Sequence, residues 1–239
     1  MKSGYWLCAI FCCAVLASCG GRGKTAVSAS ADGRLASTSI PLGSTMIKMT
    51  GKLEGPFTLD KVVTPSKLLL KPASGDPIKV ELVGLCEGNY PRTPNPVDKR
   101  SDEEKKADFK KFIQYKMDEM QSLLKSRTLY MIKMGEGDAK NPPPVYLFYT
   151  TRDIKDLADP RIDGELVNAW ALRRGIALFD LNAPDHPFAE LMQECQAVSI
   201  AETRRAKAKG QTMTTIWSRP DVELPAQFEP IVASIETRM

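Results

Sequence analysis

Cysteine and histidine are the commonest zinc ligands, and cysteine is also a common catalytic nucleophile. The chain has six cysteines and a single histidine. From residue 19 onward only Cys19, Cys86 and Cys195 remain, with no Cys-x-x-Cys pair and no Cys/His cluster. A zinc site is therefore not expected. His186 lies in a predicted turn without a second histidine, and we interpret it as structural.

The thiol of Cys19 has a different predicted chemistry. It ends the sequence Leu16-Ala17-Ser18-Cys19, which follows Lys2 and an apolar run of residues 5–16. That run is long enough for the hydrophobic region of a signal peptide and too short to span a bilayer comfortably. Small residues leading into a cysteine resemble the lipobox of bacterial lipoproteins, in which the cysteine is lipidated. An ordinary secretory signal and an uncleaved anchor are the alternatives.

The lipobox resemblance implies a signal peptide over residues 1–18 and a mature chain that acyl chains on Cys19 hold at a membrane. Residues 19–44 are expected to form a flexible tether, because small and polar residues dominate them. Gly20, rather than aspartate, follows the lipidated position and favours the outer membrane in a two-membrane host. The expected localisation is the bacterial cell envelope.

Secretion would place Cys86 and Cys195 in an oxidising compartment, where two thiols can form a disulfide. The sequence is equally compatible with a disulfide between them and with two separately buried thiols.

Short segments rich in branched residues predict the strands that must position these side chains. The predicted strands cover residues 45–53, 57–63, 67–71, 78–85, 127–134 and 145–150. Residues 135–144 include three consecutive prolines and are predicted to form a loop.

Three helices are predicted around these strands. Ser101 and Glu104 form a capping box at the start of the first, which has one apolar stripe. The other two cover residues 165–174 and 187–209, the latter ending at Gly210. This order indicates an α+β fold with a small barrel, in a domain of residues 45–220. A tail of residues 221–239 has apolar residues at partly helical spacing and would dock on its own domain or on a neighbour.

Three segments resemble a known family. Residues 164–177, GELVNAWALRRGIA, are similar to the "LVNxxLVxxGLA" helix of staphylococcal nuclease-like domains. Residues 201–218 resemble that family's last helix and its terminal "LWS", and VELVGLC at residues 80–86 lies where the family has "VRLxGID". The resemblance extends from about residue 57 to residue 218. It implies a five-stranded OB-type β-barrel flanked by three helices.

The family hydrolyses phosphodiesters at a calcium site on the barrel. That reaction needs carboxylates to hold the cation, another carboxylate to activate water, and two arginines facing the phosphoryl oxygens. By this resemblance the arginine positions are Glu81 and Pro143, the metal positions are Lys67 and Cys86, and the catalytic carboxylate is Asn89. Every matched catalytic position is therefore substituted.

The expected function is a lipid-anchored, catalytically inactive nuclease-like barrel that acts as a binding or structural module, without a cofactor. One alternative is a calcium-dependent nuclease whose site is rebuilt from other charged residues. The candidates for such a relocated site are Glu87, Arg92, Asp98, Arg100, Asp102 and Arg152.

The second alternative is a protein that binds nucleic acid without cleaving it. A basic cluster beside Trp217 would carry this function. Its members are Arg204, Arg205, Lys207 and Lys209, and Arg219 lies nearby in sequence. The formal net charge is +4, or +4 − 1 = +3 without Lys2, which is too small to indicate nucleic-acid binding by itself.

Overall fold

A computed structural model describes residues 38–42, 45–49, 52–86, 99–138, 140–150, 164–183, 185–219, 222 and 224–239. The strands are β1 (Thr38–Leu42), β2 (Thr45–Met49), β3 (Leu53–Thr64), β4 (Lys67–Pro72), β5 (Ile78–Leu82), β6 (Leu85–Cys86), β7 (Thr128–Lys133), β8 (Pro144–Thr150), β9 (Gly164–Leu166) and β10 (Leu178–Phe179). The helices are α1 (Asp102–Leu124), α2 (Val167–Arg173), α3 (Ala189–Ala208) and α4 (Glu229–Glu236). Within these ranges no helix is long and apolar enough to cross a membrane.

Five strands close into a barrel. Their order is β5-β4-β3-β7-β8, and β8 pairs back with β5 to complete the circle. That closing pair is parallel, with Glu81 opposite Pro144 and Leu82 opposite Val145, whereas the other neighbours are antiparallel. We call the β5–β8 pair the seam. The predicted α+β fold with an OB-type barrel and flanking helices is confirmed, with four helices in place of three.

Burial along the strands reflects what covers each face. Strands β4 and β5 alternate, so that Leu68, Leu70 and Val80 are fully buried inside the barrel while their neighbours are more exposed. Strand β8 is buried at almost every position. Helix α2 packs against β8, which explains why that strand has no solvent face.

Helix α1 begins where the sequence predicts. The Ser101 hydroxyl accepts the backbone N–H of Glu104 at 3.2 Å, and the Glu104 carboxylate accepts the backbone N–H of Ser101 at 2.8 Å. These two bonds satisfy N–H groups that the first helical turn leaves without partners. The capping box is confirmed.

Several predicted boundaries were wrong for local reasons. The strand predicted over residues 78–85 is broken by a turn at Gly84, whose φ of +72° favours glycine. A Cβ at Gly84 would also lie 2.8 Å from Nε2 of His186. The strand predicted over residues 45–53 is divided between β2 and β3, and the predicted helix of residues 165–174 begins as β9.

The C-terminal tail packs on its own domain. Helix α4 lies against α3, with Val232 and Ile235 buried beneath it. Just before α4, Phe228 is 1% exposed, and its ring meets Phe179 edge-on with centroids 6.5 Å apart. The tail therefore contributes to the hydrophobic core.

Candidate functional site

Two of the positions that the family resemblance selects lie directly opposite each other. Lys67 at the start of β4 is the Cα partner of Glu81 on β5. The Lys67 Nζ atom lies 3.6 Å from Glu81 Oε1, and both side chains are about one-third exposed. Two residues that the family resemblance selects separately thus form one ion pair.

Pro143 joins this pair through the backbone. Its carbonyl oxygen accepts the N–H of Glu81 at 3.0 Å, immediately before the seam begins. Proline has no side-chain donor, so this position offers a phosphate no charge and no hydrogen bond. The structure therefore brings together three of the five positions that the resemblance selects.

Calcium does not fit these residues. Calcium binds six to eight oxygen ligands, mostly carboxylates and carbonyls. The two residues that the resemblance selects as metal positions are a lysine and a cysteine, Lys67 and Cys86, and the nearby carboxylate of Glu81 is already paired with a lysine. We therefore derive no catalytic step through a calcium ion at this place.

Cys86 lies in the two-stranded β6–β10 sheet, whereas Lys67 and Glu81 lie in the sheet that forms the barrel. Its Sγ donates a weak hydrogen bond to the Phe179 carbonyl oxygen at 3.9 Å. Both Cys86 and Cys195 are partly exposed free thiols in the structure. Burial raises the pKa of the Cys195 thiol to about 11, which disfavours the thiolate that disulfide exchange requires.

Most of the candidates for a relocated nuclease site lie outside the described residues. These candidates are Glu87, Arg92, Asp98 and Arg152. The predicted lipidation site Cys19 and the position Asn89, which the resemblance selects, also lie outside the described residues. Arg100 is described, and it forms an ion pair with Asp108 at 3.1 Å. Asp102 lies in the first turn of α1, 3.9 Å from Lys105. In the part of the chain that the structure covers, no three His, Cys, Asp or Glu side chains are grouped to hold a metal ion.

The basic cluster at the end of α3 is partly neutralised by the tail. The Arg204 guanidinium donates to both carboxylate oxygens of Glu229, at 2.8 and 3.2 Å, and lies 3.8 Å from Glu236. Arg205 donates to the Met239 backbone oxygen at 3.1 Å. Lys207 and Lys209 remain exposed. The C-terminal tail thus engages the two arginines that a nucleic-acid patch would need, Arg204 through α4 and Arg205 through Met239.

Arg219 also has an intramolecular role. It is 9% exposed, and its guanidinium lies over the rings of Phe109 and Phe112, at 5.1 and 5.5 Å from the centroids. Asp108 forms an ion pair with it at 3.2 Å. Cation–π contacts and this ion pair hold the segment after α3 against α1.

A cavity of about 550 Å³ lies beside α3, within the size range of small-molecule sites. Its lining includes Thr203, Lys207, Trp217 and Arg219. The Thr203 hydroxyl already donates to the Ser199 carbonyl oxygen at 2.7 Å. Sequence patterns did not predict this cavity, because its walls come from helix and loop segments with no shared motif.

Sequence reasoning also missed the environment of His186. A 2.6 Å hydrogen bond joins its Nδ1 atom to the hydroxyl of Tyr146, which is fully buried on β8. Among the described residues, the buried Nε2 atom has no hydrogen-bond partner. Burial lowers the pKa of His186, although the nearby Asp185 carboxylate opposes this shift.

This environment predicts a pH-dependent stability. The folded state binds a proton less readily than the unfolded chain, whose histidine pKa is about 6.5. The free energy of unfolding should therefore fall as the pH drops below about 7 and level off only below the folded pKa. We expect His186→Gln to flatten this dependence, as measured by urea denaturation across that range. Since His186 is the chain's only histidine, an unchanged slope in the variant would contradict the assignment.

Asn168 ties the seam to helix α2 and is fully buried. Its Oδ1 atom accepts the backbone N–H of Leu147 at 3.1 Å. Its Nδ2 atom donates to the carbonyl oxygens of Val83 at 3.0 Å and Val145 at 3.2 Å. One side chain thus connects β8 with the turn that follows β5.

The chain was compared with known proteins. No protein-family model matches it, and a search of curated proteins finds no similar sequence. The family resemblance therefore rests on the motifs quoted above and on the barrel fold.

Proposed function

We propose that this protein is a lipid-anchored barrel related to staphylococcal nuclease-like domains that has lost phosphodiester hydrolysis and acts as a binding or structural module at the cell envelope. The observation that carries the proposal is the Lys67–Glu81 ion pair beside Pro143. The closed five-stranded barrel with flanking helices is compatible with such a domain.

The electrostatics of this pair oppose the ancestral reaction. An arginine that contacts transferring phosphoryl oxygens contributes on the order of 10³–10⁵ in rate. A carboxylate at about 5 Å from a phosphate instead costs roughly 3 kcal/mol at an effective dielectric constant near 20. Lys67 would repel a cation by the same argument. Each residue also neutralises the other, so the pair offers neither a metal nor a phosphate a net charge.

The decisive experiment combines calcium calorimetry with a plasmid-cleavage assay on the purified full chain, with and without chelator. We expect no binding heat and no cleavage that depends on calcium. Calcium-dependent heat together with nicking that the chelator abolishes would overturn the proposal and favour a relocated site. The Lys67→Asp/Glu81→Arg variant is a useful control, because it reverses the pair while keeping an ion pair between the strands.

The basic cluster on α3 supplies a separate arm of the test. If the protein binds single-stranded nucleic acid through phosphate contacts, the logarithm of affinity should fall steeply with the logarithm of salt concentration. We expect little binding, because the C-terminal tail engages Arg204 and Arg205. A steep salt dependence that Lys207→Gln/Lys209→Gln reduces would support the nucleic-acid alternative.

A further inference from the structure

Three lysines surround a leucine on the outer face of the barrel. Lys61 on β3 and Lys79 on β5 are the Cα partners of Leu69 on β4, one from each side. Lys71 follows two residues after Leu69, so its side chain points to the same face. Adjacent strands are about 4.8 Å apart, which places the Lys61 and Lys79 Cα atoms roughly 10 Å apart. We call Lys61, Lys71 and Lys79 the lysine triad.

The lysine triad carries charge that the described part of the chain leaves uncompensated. All three lysines are exposed, and none forms an ion pair with a described residue. On the same face, Lys67 is paired with Glu81. Asp60 is the acidic neighbour of Lys61 in sequence, and the two do not form an ion pair. Leu69 is half-buried at the centre.

The types of side chain on this face favour binding to a surface whose negative charge is spread out rather than to one specific anionic group. The described positions of the face carry no aromatic ring, so it lacks the stacking platform that single-strand binders use. Lysine is a flexible, strongly hydrated point charge without the bidentate geometry of arginine. Near an anionic lipid surface each lysine contributes about 1 kcal/mol. A leucine at the centre can add apolar contact with the lipid.

We propose that the lysine triad holds the outer face of β3, β4 and β5 against an anionic lipid surface. This inference rests on the proposed anchor, which would confine the barrel to the membrane. Residues 20–37 extend at most roughly 60 Å, longer than the 12-residue strand β3 at roughly 40 Å. A tether of that length lets any face of the barrel reach the lipid, so the charged face selects the orientation.

Lysine footprinting on the full-length protein tests this orientation. The lipidated protein is reconstituted into phosphatidylcholine vesicles, with or without phosphatidylglycerol, and acetylation of each lysine is followed by mass spectrometry. We expect acetylation of the lysine triad to slow at least about fivefold in the anionic vesicles, the factor that about 1 kcal/mol represents. The exposed lysines Lys106, Lys111 and Lys125 should react equally in both. Added salt should restore reactivity.

A variant pair separates local from overall charge. Lys67 is the remaining lysine of the face, and anionic vesicles should protect it from acetylation in the parent protein. In the Lys61→Gln/Lys71→Gln/Lys79→Gln variant it should lose this protection. The matched control removes three charges elsewhere, by glutamine substitution at Lys106, Lys111 and Lys125. This control should keep Lys67 protected. Equal loss of protection in both variants would show that net charge alone acts, and would overturn the proposal.

The arms of the experiment also distinguish the two proposals. A protein that floats with vesicles yet shows equal triad acetylation in both lipids would overturn the lysine face and leave the anchor intact. A protein that floats with neither kind of vesicle would overturn the anchor and the inference that rests on it. If a single-stranded oligonucleotide protects the triad while anionic lipid does not, the partner is nucleic acid and the lipid proposal is wrong.

Discussion

The Asn168→Ala variant is expected to lose roughly 3 kcal/mol of unfolding free energy. Two buried backbone groups, the N–H of Leu147 and the carbonyl of Val83, lose the partner that Asn168 supplies. Each such loss costs about 1–3 kcal/mol. The Val145 carbonyl is less affected, because it also accepts the N–H of Val83 at 3.0 Å. Urea denaturation measures this loss as a lower unfolding midpoint, and we expect the m-value to stay the same.

Two further variants give this prediction its control. Asn168→Leu keeps the side-chain volume, so it should remain nearly as destabilising as alanine if hydrogen bonds dominate. Asn182→Ala changes an exposed asparagine and should stay within about 0.5 kcal/mol of the parent protein. Stability of Asn168→Ala within that same margin would show that the seam does not depend on this side chain.

The Cys19→Ala variant is expected to lose membrane attachment altogether. Each acyl CH₂ buried in lipid contributes about 0.8 kcal/mol, so several chains make the proposed attachment effectively permanent. Metabolic labelling with an alkyne fatty acid should mark the parent protein and leave the variant unlabelled. Fractionation should move the variant to the soluble fraction.

A leader cysteine six residues before Cys19 provides the matched control. Cys13→Ala lies in the apolar run that the signal peptidase would remove, so this variant should label and fractionate like the parent. A retained but unlabelled Cys19→Ala protein would indicate an uncleaved apolar anchor. Continued labelling of Cys19→Ala would refute the lipidation of this residue.

Local sequence signals predicted most of the architecture. The capping box at Ser101, the apolar period of α1 and the positive-φ stop at Gly210 each act within a few residues, and each is found in the structure. The boundary errors arose where a tertiary contact decides the backbone. At Gly84 the backbone turns with a φ of +72° in an otherwise strand-like sequence, and His186 lies so close that a side chain there would clash.

The site was predictable only in part. The resemblance selected Lys67 and Glu81 separately, and their pairing follows from the β4–β5 register, which depends on where the intervening turn lies. Counting outward from the partners Leu70 and Ile78 places Lys67 and Glu81 opposite each other. The hydrogen bond between Tyr146 and His186 spans 40 residues and has no local signal. Arg219 likewise meets α1 across more than a hundred residues of sequence.

The parallel seam determines the order in which this barrel can assemble. Strands β3, β4 and β5 form a meander that can pair as soon as residue 82 has emerged from the ribosome. The partner of β5 begins 62 residues later, at residue 144, and the Asn168 bonds require a further 24 residues. Loop closure over such distances is slow. During synthesis of the chain, the lysine-bearing meander therefore forms before the barrel can be closed by the later strands.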